Sequence, residues 1–196
     1  EKAAEMNFSS ATRSGKLLIE ANNIYKSFQS TVVIKNFSFK ITKGERIAIV
    51  GPNGIGKSTL VNLVINNLAP DAGTIKHGSR IEWAIFDQYR SRLNSSQKIV
   101  NAVMNENDLK LDIKTGYIFV DGQSQHIVGY LKSFLFSENQ IQGMVSDLSG
   151  GEKARLLLAI IMAKPSNFLI LDEPTNDLDI ETLDLLKELV ANYKGT

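Results

Sequence analysis

The segment Gly51-Pro52-Asn53-Gly54-Ile55-Gly56-Lys57-Ser58 carries the most legible chemistry in this chain. It fits G-x-x-x-x-G-K-[ST], a loop whose backbone amides cradle nucleotide phosphates. Glycines let the main chain approach an anion closely. The helix that follows adds N–H groups and the positive end of its dipole. Lys57 is placed to reach the β- and γ-phosphates, and the Ser58 hydroxyl to hold Mg²⁺. An ordinary glycine turn would also fit the pattern, but the flanks argue for more. Residues 46–50, Arg-Ile-Ala-Ile-Val, read as a buried strand. Leu60, Val61, Val64, Ile65 and Leu68 recur at helical spacing, so 58–67 reads as a helix.

A second group of residues offers acid–base chemistry. Residues 168–171, Phe-Leu-Ile-Leu, read as a buried strand that delivers Asp172 and Glu173 at its carboxyl end. In open α/β sheets ligands bind at that edge. Asp172 suits a metal opposite Ser58. Strand alternation puts Glu173 on the other side, placed to orient or deprotonate a water. A positioned general base is worth roughly 10²–10⁴ in rate. Ser149-Gly150-Gly151-Glu152 opens a further helix. Ser149 and Glu152 form an S-x-x-E capping box, which is a sufficient structural reason for both. The two glycines add something a cap does not need: N–H groups exposed to an anion.

The elements that must hold these residues alternate in type. Strands are expected over 17–21, 32–41, 74–75 and 81–86, with a turn at Pro70-Asp71-Ala72-Gly73. Helices are expected over 149–163 and 180–193. The stretch from about 90 to 147 reads as a mostly helical insert, with a short strand over 117–120 and a turn at Asp121-Gly122. Residues 1–16 are polar and read as a linker. The expected fold is α/β: a mostly parallel sheet, antiparallel strands at the amino end and the helical insert.

Composition sets outer bounds. The 196 residues are enough for one substantial core. Lys plus Arg number 22 against 21 for Asp plus Glu, so contact with RNA or DNA has to come from a local patch. There is no cysteine, hence no disulfide and no thiolate metal site. No apolar run is long enough to span a bilayer, and cytoplasm is the expected compartment.

Taken together, GPNGIGKS, LSGGE, LILDEP and Thr175-Asn176-Asp177-Leu178-Asp179 resemble an ATP-binding cassette domain, a P-loop NTPase. They match its Walker A loop (51–59, ending in Thr59), signature, Walker B strand and D-loop, in that order. The Glu152-Lys153-Ala154-Arg155 form of the signature, the D-loop form and the Gly129-Tyr130-Leu131 region resemble the soluble ABC-F family. Residues 110–136 look most like the second cassette of its Uup-like branch.

The resemblance implies ATP and Mg²⁺ as ligands. It implies Gln88 as a sensor of Mg²⁺ and of the attacking water, and Phe28, with Tyr25 as a competitor, as the ring under adenine. It gives Asp179 to the D-loop. Ser149, Gly150, Gly151 and Glu152 would act on a nucleotide held by a second cassette. Isolated, the chain would then bind MgATP but hydrolyse it poorly. Ribosome or RNA is the implied partner, with DNA contacted through a carboxyl-terminal region beyond Thr196.

The family's switch histidine has no counterpart here. His77 and His126 both precede Walker B, and the 196 residues read as a fragment of a longer protein. The competing reading is the nucleotide-binding subunit of a membrane transporter. A third is a cassette that binds ATP without turnover, against which Glu173 stands.

Overall fold

The computed structural model describes residues 17–86, 93–104, 111–112, 116–120, 123–175 and 178–196. The chain divides into two units, residues 1–81 with 195–196, and residues 82–194.

In the first unit, alternating residues build two long strands. β1 (Leu17–Phe28) and β2 (Thr31–Thr42) pair antiparallel across a turn at Gln29 and Ser30. β1 runs well past the expected end at Ala21. Asn22 and Asn23 look like a break in sequence but form a bulge. Asn23 takes a left-handed φ of 49°, and the register shifts between Ala21 and Ile24. Its backbone N–H donates to Ser38 Oγ at 2.7 Å, so the polar pair is satisfied inside the sheet. β3 (Ala72–His77) pairs with the other edge of β1, giving the order β2-β1-β3. Helix α1 (Lys57–Val64) buries Leu63 in a core with Ala21, Ile24 and Ile34.

Residues 46–50 depart from the expectation of a buried strand. They form no strand, and Ile47 and Val50 are 55% and 91% exposed. An apolar run becomes a parallel strand only where neighbours offer a ladder. Among the described residues the sheet of this unit runs β2-β1-β3, and its pairings are antiparallel. The run is instead fixed at its start, where Arg46 Nη1 donates to Gly195 O at 2.7 Å.

The second unit holds a parallel pair, β4 (Trp83–Phe86) and β8 (Phe168–Leu171), in register from Trp83↔Phe168 to Phe86↔Leu171. Helix α2 (Ile99–Met104) is followed by an antiparallel meander of β5 (Leu111–Asp112), β6 (Tyr117–Val120) and β7 (Gln123–His126). Then come α3 (Ile127–Ser133), α4 (Glu138–Gln142), α5 (Gly150–Ala163) and α6 (Ile180–Asn192).

Helix α5 is the centre of this unit. Its residues from Ala154 to Ile161 are all buried, so it is apolar almost all round, as a central helix must be. Each fully buried leucine, Leu156 and Leu158 among them, contributes about 1.5–3 kcal/mol. Tyr130 in α3 donates its hydroxyl to Ala159 O at 2.6 Å, which satisfies the one polar atom of a buried ring.

Candidate functional site

The glycine-rich loop adopts the shape its residue types allow. Gly54 and Gly56 sit at φ of 81° and 109°, backbone that L side chains rarely adopt. Gly56 is the N-cap of α1 and, lacking a side chain, makes no side-chain cap hydrogen bond. The helix begins with Leu60 N–H donating to Gly56 O at 2.9 Å. Lys57 turns back over the loop, and its ammonium donates to Gly51 O at 2.9 Å and Pro52 O at 3.1 Å. Such charge-assisted bonds are exchangeable for phosphate oxygens of higher charge. A pocket of about 270 Å³ adjoins the loop, lined among others by Val33, Lys35, Phe37, Ile55 and Lys57. Amides, an ammonium and the Ser58 hydroxyl form a donor set that fits a polyphosphate with its cation.

Phe28 ends β1 and is 47% exposed, while Tyr25 is half-buried and paired with Ala72. Lys26 Nζ stands 5.6 Å from the Phe28 ring centroid. It is fixed by Ala69 O at 2.9 Å and Asp71 Oδ1 at 2.7 Å. The other Asp71 oxygen accepts from the Ser27 N–H and hydroxyl. Lys26 first, then Ser27, lowers the Asp71 pKa to about 2. Sequence reading missed Lys26 and Asp71. The available signal was Lys26 two residues before Phe28, hence on the same strand face.

In the second unit, the β4–β8 pairing runs one residue past the strand. Asp172 N–H donates to Phe86 O at 3.0 Å, which fixes the aspartate at the strand end. Glu173 then takes a φ of 46°, immediately before Pro174. A non-glycine residue there is strained, the more so before proline. Strand β8 ends at Leu171, so alternation along the strand does not by itself set the direction of Glu173.

Ser149 caps α5, and the full capping box is present. Ser149 N–H donates to Glu152 Oε2 at 2.7 Å, and Glu152 N–H donates to Ser149 Oγ at 3.3 Å. Hydrogen bonds from Ser149 lower the Glu152 pKa, helped by the charge of Arg155. The N–H groups of Gly150 and Gly151 lie outside the box. Asp179 caps α6, accepting from Thr182 N–H at 2.7 Å. Hydrogen bonds from Thr182, then the Arg155 charge, lower its pKa.

Gln88, Asn176 and Asp177, the expected linker 1–16 and the Asp121-Gly122 turn lie outside the described residues. His126 accepts from Val128 N–H and so caps α3, and His77 Nε2 lies 2.6 Å from Val64 O.

The family model described as ABC transporter matches residues 34–176, from within β2 to just past Glu173. The chain belongs to that family, as an ATP-binding cassette. The cassette is 42% identical over 193 residues to the ATP-binding protein Uup of Haemophilus influenzae. That match takes in 98% of the cassette and 29% of the relative. Uup of Caulobacter vibrioides is 44% identical over 191 residues, 97% of the cassette and 30% of the relative. The cassette thus spans just under a third of these curated relatives, both of them Uup ATP-binding proteins.

Among solved structures, a dimeric ATP-binding cassette in a post-hydrolysis state, bound to ADP and Pi, superimposes with a TM-score of 0.65. It is 20% identical and covers 91% of this chain and 85% of its own, a likeness of fold. Among the described residues no helix is long and apolar enough to cross a membrane.

Proposed function

We propose that this cassette binds MgATP and hydrolyses it when paired with a second cassette. It would be the second cassette of a cytoplasmic Uup-like protein that acts on ribosomes or nucleic acid. The observation that carries the reading is the loop itself: left-handed Gly54 and Gly56, a helix start without a side-chain cap, and Lys57 laid over two loop carbonyls.

In this reading the amides after Gly56 bind phosphate oxygens, and Lys57 meets the charge that develops on the γ-phosphoryl group. Ser58 and Asp172 are the residues for Mg²⁺, with Gln88 completing them. Bound there, Mg²⁺ neutralises charge on the β- and γ-phosphates. Glu173 orients and deprotonates the attacking water, and Phe28 stacks on adenine. Ser149, Gly150, Gly151 and Glu152, with Asp179, serve the nucleotide of the partner cassette. The two-cassette neighbour bound to ADP and Pi supports pairing by analogy of fold.

Titration calorimetry of the full-length protein with MgATP tests the core of this reading. Lys57→Ala removes charge-assisted hydrogen bonds worth about 1.5–3 kcal/mol, so binding should weaken roughly ten- to hundredfold. Absence of ATP binding by folded protein refutes the reading. Cosedimentation with ribosomes is the expected partner result, whereas copurification with membrane would favour the transporter alternative.

A further inference from the structure

Arg155 is a charge buried in the core of the second unit, 7% exposed, on the helix that the signature opens. Its guanidinium reaches two places outside α5, the connection between α3 and α4 and the cap of α6. Nη1 donates to Leu135 O at 3.2 Å, at a residue whose own φ is 62°. Nη2 lies 3.5 Å from Asp179 Oδ2, the carboxylate that caps α6. The guanidinium carbon stands 5.7 Å from the Phe136 ring centroid. Its Nε has no hydrogen-bond partner among the described residues. Three residues earlier, on the same face of α5, Glu152 accepts from Gln140 Nε2 as well as from Ser149. The first two turns of α5 are therefore tied to α4 by Glu152, and to Leu135 and the Asp179 cap by Arg155.

Stability alone is a poor reason for this arrangement. A buried guanidinium with an orphaned N–H, set against a carboxylate that is itself half exposed, seldom outperforms a well-packed apolar residue of the same volume. What the fork supplies is a fixed distance between the signature turn and the amino end of α6.

We propose that Arg155 is a positioning residue that couples the signature turn of α5 to the D-loop aspartate Asp179, so that both reach a partner's nucleotide as one body. This rests on the ATPase reading above. Arg155 touches no reacting atom. Its effect is on how well two groups that do are held, and an error of about 1 Å in such placement costs up to about a hundredfold in rate.

The test uses the full-length protein, with Arg155→Met to keep volume and Asp179→Asn to keep the helix cap while removing the charge. Arg155→Met should lower kcat about ten- to hundredfold, with KM for ATP and the thermal midpoint close to wild type. Arg155→Lys should recover part of the loss. The Arg155→Met/Asp179→Asn double variant should be no slower than the slower single variant. An unchanged kcat, a loss matched by a fall in the midpoint, or independent multiplicative losses would each overturn the coupling. If the wild-type protein shows no turnover, the ATPase reading fails by itself. Hydrogen exchange at Thr182 N–H then decides: Arg155→Met should speed it about tenfold, and an unchanged rate overturns the proposal.

Discussion

Replacing Gly56 by alanine puts the loop geometry to a quantitative test. Two separate penalties follow from the structure. The residue sits at φ 109°, where an L side chain is strained by about 1–3 kcal/mol. An added Cβ would also lie 2.3 Å from Val33 Cγ1, against an ordinary carbon contact of about 3.5–4.0 Å. Val33 is β-branched and stiff about χ1, so it yields little without a shift of β2. Overpacking of this kind costs about 1–3 kcal/mol. The sum, about 2–6 kcal/mol, is a large part of a typical domain's stability. Relaxation of either kind rotates the amides of Lys57 and Ser58 away from their present directions, so nucleotide affinity should fall with stability.

Urea unfolding followed by circular dichroism reads the first effect, and calorimetric titration with MgATP the second. The double variant Val33→Ala/Gly56→Ala removes the overlap and keeps the φ strain, so it should recover about half of the stability lost. A single variant with wild-type midpoint and affinity would refute the argument. A double variant no better than the single one would refute its steric half.

Three other outcomes follow from the described geometry. Glu173→Gln should bind ATP and stop turnover, and Glu173→Gly should be more stable than Glu173→Ala by about 1 kcal/mol, since only glycine relaxes at φ 46°; urea midpoints and phosphate release measure both. Asp71 is depressed from 3.8 to about 2 in the folded chain, so its contribution is fully present above pH 4 and is lost as pH falls toward 2. Stability curves for wild type and Asp71→Asn should therefore differ at pH 5 and converge near pH 2. Ser149→Ala removes the α5 cap and should cost about 0.5–2 kcal/mol by urea unfolding, with Ser149→Asp restoring most of it.

What could be read from the sequence was local. The loop, the capping box at Ser149 and the strand that delivers Asp172 each depend on residues within a few positions of one another. Residues 46–50 fail that condition, because apolar spacing says nothing about whether a neighbouring strand is there to pair. β1 was read too short because Asn22 and Asn23 are poor strand formers, and the partner that satisfies Asn23 is Ser38, fifteen residues away. β7 reads Gln-Ser-Gln-His, with no apolar alternation to signal a strand; its partner β6 supplies the pattern. Arg155 is visible as part of a motif, but its burial and its reach to Leu135 and Asp179 are tertiary facts.

The exposed run before the phosphate loop also sets an expectation for how this chain should behave in concentrated solution. Ile47, Ile49 and Val50 are β-branched, free of proline and open to solvent, the composition of a self-associating window. Arg46 is the sole charge within residues 46–50, and its guanidinium is anchored on Gly195 O. It acts as the gatekeeper of that window. Loss of Arg46 should turn a soluble sample into a precipitating one long before it changes the core.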